Sequence, residues 1–223
     1  MILADSCALP RTFPENEITH LEETYPFLLQ ENFDDVTFFK LCMGGVTGPD
    51  LVGQAISYMG GWAPDVIIVQ VGIDDCRPEP LPNFFRILIS EIPIFRRLKV
   101  YIYHPVVMSR LLKYFSSYRV PPKRFKRNIQ KLKVIFPESQ ILWLEIFTSE
   151  NGGYEEQRPG VLTRISEFNT IIKKVLNVGF VEIQKELNIV NGINADHLHL
   201  NSKGHKKTYE ILKAKINEIS KNI

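Results

Sequence analysis

Five short apolar runs constrain the fold of this 223-residue chain more than any other feature of its sequence. Each run is rich in β-branched or aromatic residues and almost continuously apolar, which is typical of strands buried on both faces of a sheet. The predicted strands are Ile2–Ala4, Val36–Cys42, Asp65–Val71, Gln140–Ile146 and Val178–Ile183.

The segments between these runs have helical spacing. Pro26 should kink or shorten the first helix, and Gly60-Gly61 should end the second. Alternation of strands and helices predicts an α/β fold, a three-layer α/β/α sandwich with a flavodoxin-like five-stranded parallel sheet. No linker divides the chain, so we expect one domain over residues 1–223. The predicted helices are Ile18–Gln30, Asp50–Met59, Arg124–Phe136, Ile165–Leu176 and Ser202–Ile219.

Residues 78–122 do not fit a single helix between two strands, and we expect an elaboration on the core fold there. The apolar stretch Val100–Tyr103 within it predicts either an extra strand or a helix. Between Arg86 and Lys133 the chain has thirteen Lys or Arg and one acid, Glu91. Aromatic side chains lie among these cations at Phe95, Tyr114, Phe115 and Tyr118.

Three interpretations of the basic aromatic segment stay open. It can be a solvated helix face whose long side chains cover apolar surface. It can attract an anionic membrane weakly, or an anionic sugar-phosphate substrate. Nucleic acid is the least favoured partner, because no nucleic-acid-binding module accompanies the charge.

The rest of the composition predicts a soluble cytoplasmic protein without a cofactor. The three cysteines, Cys7, Cys42 and Cys76, cannot all pair with each other, and we expect reduced, largely buried thiols. No secretory signal or membrane span is visible. The chain has no dinucleotide or Walker motif, and its histidine cluster lacks the partners of a zinc site, so no metal is predicted.

The residues that carry chemistry follow the predicted strands. In open α/β sheets, ligands bind beyond the carboxyl ends of the strands. Asp5-Ser6 follows the first strand, Gly44–Gly48 the second, Gly72–Asp75 the third, and Asp196–His199 the last. A serine, an imidazole and a carboxylate at one edge are the components of an acyl-transfer site.

These four blocks resemble, in order and spacing, those of the SGNH (GDSL-type) hydrolase superfamily. The resemblance implies that Ser6 is the nucleophile, His199 the general base and Asp196 the residue that orients the imidazole. It places the oxyanion hole at Ser6, Gly45 and the side chain of residue 74. It also implies a serine esterase that cleaves or transfers an O-acyl group, with a carbohydrate or glycoconjugate precursor as the expected substrate.

The sequence departs from the family pattern at two positions. Ala4 replaces a glycine, a change between small residues that should only tighten packing. Asp74 stands where the family has an asparagine whose amide donates to the oxyanion, and an ionised carboxylate cannot donate. Asp74 is therefore protonated in a dry site, or turned away while Thr47 or a backbone amide substitutes, or hydrolysis is slow or abolished. The last case makes a non-catalytic carbohydrate-binding or assembly protein the alternative function.

Three other residues compete for the catalytic roles. His197 is adjacent to Asp196 and should point away from the site if His199 points into it. His205 lies at the start of the closing helix, where we expect a solvated histidine. Cys7 is a rival nucleophile next to Ser6, although a buried thiol that only packs is the favoured interpretation.

Overall fold

The chain is described by a computed structural model that covers residues 1–13, 15–92 and 96–221. Phe95, one of the aromatic residues of the basic segment, lies outside these ranges. The strands that the structure contains are β1 (Ile2–Ala4), β2 (Lys40–Cys42), β3 (Val66–Gln70), β4 (Pro78–Glu79), β5 (Ser117–Tyr118), β6 (Gln140–Leu144) and β7 (Phe180–Val181).

Five of the strands form one parallel sheet in the order β2-β1-β3-β6-β7. The predicted five-stranded parallel sheet is therefore confirmed. After β1 the chain forms β2 on one side of this strand and later forms β3 on the other side. The carboxyl end of β1 thus lies at the point where the strand order reverses, which is where such sheets form their binding crevice.

Helices cover both faces of this sheet. Helices α2, α7 and α9 pack against each other on one side, while α1 packs on α11 on the other. The three-layer α/β/α sandwich is confirmed. The helix bounds are α1 (Tyr25–Glu31), α2 (Gly48–Met59), α3 (Ile73–Cys76), α4 (Asn83–Glu91), α5 (Arg96–Ile102), α6 (Pro105–Leu112), α7 (Pro122–Ile135), α8 (Gly153–Gln157), α9 (Val161–Leu176), α10 (Gln184–Ile189) and α11 (Ser202–Ser220).

Aromatic side chains join the sheet to one helical layer. Trp143 of β6 is fully buried, and its indole nitrogen donates to the Val71 carbonyl at 3.1 Å. The Phe125 ring of α7 meets Trp143 edge-on, with 5.7 Å between the ring centroids, and lies 4.6 Å from the Phe168 ring of α9. Buried aromatic pairs of this kind stabilise beyond the area they bury.

Several element boundaries differ from the sequence prediction; β2 begins at Lys40 instead of Val36, and α9 begins at Val161 instead of Ile165. The first helix begins at Tyr25, not Ile18, and Pro26 lies in its first turn, where a missing N–H leaves no hydrogen bond unmade. The last strand is shorter than Val178–Ile183, because residues Asn177–Gly179 form a 3₁₀ turn in which Asn177 has a positive φ of 51°. The pattern of apolar residues along the sequence does not contain the information that sets these boundaries.

The 78–122 segment contains helices α4–α6 and a two-stranded antiparallel ribbon made by β4 and β5. Val100–Tyr103 is not a strand, since α5 extends to Ile102. The ribbon begins directly after α3 and returns beside it, and the Val120 amide donates to the Asp75 carbonyl at 3.1 Å. This return places residues near 119 next to the segment that follows β3.

None of the helices over residues 1–13, 15–92 and 96–221 combines the length and the apolar character needed to cross a bilayer.

Candidate active site

Ser6 lies where the chain leaves β1 at the carboxyl edge of the sheet. Asp5 caps the 3₁₀ turn Ser6–Ala8, because its Oδ1 accepts from the Cys7 amide at 2.9 Å. Asp5 itself donates its amide to the Gln70 carbonyl of β3 at 2.9 Å. The turn therefore begins from a strand held on both sides, and it presents the half-buried Ser6 at the crevice.

The loop 194–199 brings an imidazole to Ser6. One oxygen of Asp196, Oδ1, accepts from the amides of Leu198 at 3.0 Å and His199 at 2.9 Å. The other, Oδ2, lies 2.7 Å from Nδ1 of His199, and Nε2 of the same ring lies 2.9 Å from Oγ of Ser6. A carboxylate only accepts, so in the neutral ring Nδ1 carries the proton and Nε2 accepts from the hydroxyl.

Asp196 is held in its ionised form. Burial alone would raise the pKa of this carboxyl, but the hydrogen bonds from the His199 ring and from the His199 and Leu198 amides lower it well below its usual range. Arg11 adds an ion pair, with Nη2 3.2 Å from Oδ2 of Asp196. The sequence contained no signal for Arg11, which lies far from Asp196 along the chain.

The competing residues are placed elsewhere. The Nδ1 atom of His197 lies 2.9 Å from Oγ of Ser149, so this ring is engaged on the other side of the loop. The prediction of a solvated His205 is wrong: the ring is fully buried and its Nδ1 accepts from the Tyr25 amide at 3.3 Å. Burial lowers the pKa of His205 to about 3. Burial also raises the pKa of the Cys7 thiol well above its usual value, which disfavours the thiolate.

Among the backbone amides at the crevice, those at the two predicted oxyanion positions have no acceptor in the part of the chain that the structure describes. They belong to Ser6 and to Gly45, which lies in the turn after β2. Gly45 has a φ of +67°, a conformation that glycine adopts without strain. Free backbone amides are the donors that an oxyanion needs.

Asp74 is bound by two arginines. Its Oδ1 accepts from Nη1 of Arg119 at 2.6 Å and lies 3.0 Å from Nη1 of Arg77. An ion pair needs the ionised carboxylate, so these contacts argue against the protonated form considered above. The hydroxyl of Thr47 donates to Asp50 at 2.6 Å and is therefore already engaged. Neither arginine belongs to the motifs, although Arg77 stands one helical turn after Asp74.

Arg119 connects two of the four blocks. Its Nη2 donates to the Gly45 carbonyl at 3.0 Å, while its Nη1 donates to Asp74. The residue reaches this position because the β4–β5 ribbon returns beside α3. Arg164 of α9 fixes the ribbon by donating to the Ser117 carbonyl at 2.6 Å, with its guanidinium carbon 3.9 Å from the Tyr118 ring centroid.

Two more carboxyl groups are buried beneath the crevice. Burial raises the pKa of Asp5 to about 7, against the lowering effect of the Cys7 amide, and the charge of Asp74 raises it further. Burial likewise raises the pKa of Asp75 to about 8 although both of its oxygens accept from the Gly48 amide, at 2.9 and 2.8 Å. Both groups hold loops of the site through backbone amides.

Replacing Asp5 with asparagine should stabilise the fold at pH 8. The folded carboxyl titrates near 7 and the unfolded one near 3.8, so stability falls as pH rises between these values. The full difference corresponds to about 4 kcal/mol, and Asp5→Asn removes this penalty while keeping an oxygen for the Cys7 amide. We expect a gain of about 1–4 kcal/mol at pH 8 and none at pH 4, measured by urea unfolding. The exposed Asp34→Asn is the matched control, and an equal gain at both pH values would contradict the prediction.

Comparison of the sequence with protein-family models and with curated proteins found no match. Comparison of the structure with solved structures found similar proteins. An esterase from Pseudoalteromonas sp., in a structure inhibited by monoethylphosphonate, is 16% identical with a TM-score of 0.57, and the alignment covers 97% of both chains. A lipase/acylhydrolase from Enterococcus faecalis is 13% identical with a TM-score of 0.61, over 96% of this chain and 93% of the other.

An acetyl-xylooligosaccharide esterase from Geobacillus is 15% identical with a TM-score of 0.61, and the alignment covers 96% of this chain and 92% of that one. At such identities the likeness concerns the arrangement of the backbone. The chain therefore has the α/β/α fold of the SGNH hydrolases, the superfamily that its four sequence blocks resemble.

Proposed function

We propose that this chain is a serine esterase that cleaves or transfers a short O-acyl group, with a carbohydrate as the alcohol part of the ester. One observation carries the proposal: the continuous hydrogen-bonded series from Oγ of Ser6 through the His199 ring to Asp196. A serine whose hydroxyl contacts a base, with the base held by a carboxylate, is the arrangement that activates a weak nucleophile.

The chemistry would proceed in two steps. The Ser6 oxygen bonds to the acyl carbon while its proton moves to Nε2 of His199, and the carbonyl electrons move to the carbonyl oxygen. Collapse of this intermediate expels the alcohol, which takes the proton from His199 and leaves an acyl group on Ser6. Water in hydrolysis, or a sugar hydroxyl in acyl transfer, then bonds to the acyl carbon while its proton moves to His199. The bond from the acyl carbon to the Ser6 oxygen breaks, and Ser6 takes the proton back from His199. Asp196 stabilises the imidazolium that forms in each step.

Support for the substrate class comes from the fold likeness. The likeness to an acetyl-xylooligosaccharide esterase supports an acetylated sugar as the substrate class.

Hydrolysis of acetyl and octanoyl esters of p-nitrophenol, together with acetate release from acetylated xylooligosaccharides, tests the substrate class. We expect kcat/KM to fall at least about tenfold from the acetyl to the octanoyl ester, since a site built to bind an acetyl group has no place for the longer chain. Acetate release from the sugar should depend on Ser6. Faster turnover of the octanoyl ester would instead indicate a lipase-type site.

A non-catalytic carbohydrate-binding or assembly protein is the second candidate. Asp74 is the observation in its favour, because a carboxylate replaces the amide donor of the family pattern. The same assay separates the two: a non-catalytic protein would show no difference between wild type and Ser6→Ala on any ester.

A further inference from the structure

We propose that Arg119 is the side-chain donor of the oxyanion hole and that Asp74 is the residue that positions it. This inference rests on the proposed serine esterase function. In the family pattern one amide side chain, at position 74, supplies the donor. In this chain the donor would be a guanidinium that arrives from the 78–122 elaboration and is held by the carboxylate at that same position.

The contacts of Arg119 place it at the edge of the oxyanion site. It touches the Gly45 carbonyl and Asp74, which are the two segments that flank the site besides Ser6. A guanidinium has five N–H groups, and two of them are used in these contacts. The other three make no hydrogen bond within the described ranges. The side chain is 21% exposed, so a ligand in the crevice can reach it.

The charges around Asp74 support a role for this residue in holding the Arg119 guanidinium in place. An isolated Asp74 would repel the negative charge that develops on the substrate oxygen. Asp74 pairs with both Arg77 and Arg119, and Arg77 also pairs with Glu79, so the two arginines balance the two carboxylates. The free N–H groups of Arg119 belong to a cation. A hydrogen bond from a charged donor is shorter and stronger than one from a neutral amide. An aspartate at position 74 also binds an arginine more firmly than an asparagine would.

The scaffold around Arg119 does not depend on its side chain. Arg164 and the backbone bond between Val120 and Asp75 hold the ribbon. Arg77 would continue to pair with Asp74 after Arg119 is removed. An Arg119→Ala variant should therefore fold, and its melting temperature will verify this.

Four proteins tested on p-nitrophenyl acetate distinguish the roles: wild type, Asp74→Asn, Arg119→Ala and the double variant. Arg119→Ala should lower kcat by about 10²–10³-fold with little change in KM, the scale of one oxyanion donor. Asp74→Asn alone should change kcat by less than about tenfold, since the asparagine gains a donor while Arg119 loses its anchor.

In the double variant the introduced asparagine can accept from Arg77 and donate to the oxyanion, so kcat should recover at least about tenfold over Arg119→Ala. Arg124→Ala, which removes an exposed cation of α7, is the control and should match wild type.

Each contrary outcome has a distinct meaning. Wild-type kcat in Arg119→Ala, with Ser6→Ala inactive, would overturn the role of Arg119 and leave the esterase proposal intact. A gain of about a hundredfold in Asp74→Asn alone would also overturn it, because Asp74 would then simply impair the hole. If kcat of the double variant is no higher than that of Arg119→Ala, the introduced asparagine does not replace Arg119 as the oxyanion donor, which contradicts the proposal. Equal rates in wild type and Ser6→Ala would overturn the esterase proposal, and this inference with it.

Discussion

Replacing Ser6 with alanine should lower ester hydrolysis by about 10⁴-fold or more, and His199→Ala should have an effect of the same size. In the proposed mechanism the two side chains act as one unit, because the 2.9 Å contact between Oγ and Nε2 would be the path along which the proton leaves Ser6. Without either group, only the oxyanion donors and substrate binding would remain. The measurement is kcat on p-nitrophenyl acetate, with folding verified by circular dichroism.

His197→Asn is the matched histidine control for this prediction. His197 has a φ of +66°, which asparagine tolerates better than most residues, and its ring contacts Ser149 instead of Ser6.

Cys7→Ala tests the rival nucleophile. Both variants should keep kcat within about threefold of wild type, whereas loss of activity in Cys7→Ala with retention in Ser6→Ala would assign the reaction to the thiol.

Asp196→Asn should lower kcat by about 10³–10⁴-fold while the fold stays intact. The asparagine oxygen can still accept from the Leu198 and His199 amides, so the loop keeps its shape. Its NH₂ group, however, would face Nδ1 of His199 and donate to it. The ring would then carry its proton on Nε2, and this nitrogen could no longer accept the proton of Ser6.

The measurement for Asp196→Asn is kcat on the same ester, with the melting temperature as the check on folding. A variant that kept more than about a tenth of wild-type kcat would show that the imidazole is oriented without the carboxylate. A large drop in melting temperature would instead assign Asp196 a mainly structural role, since Arg11 also pairs with it.

The parts of the site that the sequence predicted are those whose geometry is local. Asp196 and His199 are three residues apart, and a single turn brings their side chains together. Ser6 follows a strand so apolar that its burial was predictable, and the parallel order of the sheet brings the first three blocks to one edge. The fourth block does not follow a strand directly, because α10 lies between β7 and Asp196. Such signals need only a few neighbouring residues.

Arg119 could not be predicted from the motifs because its position depends on a long excursion of the chain. It lies 45 residues from Asp74 in sequence, and helices α4–α6 and the β4–β5 ribbon intervene. The basic character of the 78–122 segment suggested external partners, whereas the structure engages this one cation internally. Weak association with an anionic membrane stays a prediction from the sequence, as does the expectation that nucleic acid is not a partner. The buried His205 was missed for a related reason: its helix position suggested solvent, but α1 packs over it.

Reaction with a fluorophosphonate followed by mass spectrometry of the digested protein tests the central claim most directly. The reagent bonds covalently only to a nucleophile that is already activated, and no knowledge of the natural substrate is needed. We predict one phosphonyl group per chain, on the peptide that contains Ser6, with labelling lost in Ser6→Ala and strongly slowed in His199→Ala. No labelling of the folded wild-type protein, or an adduct on a residue other than Ser6, would contradict the assignment of an activated serine.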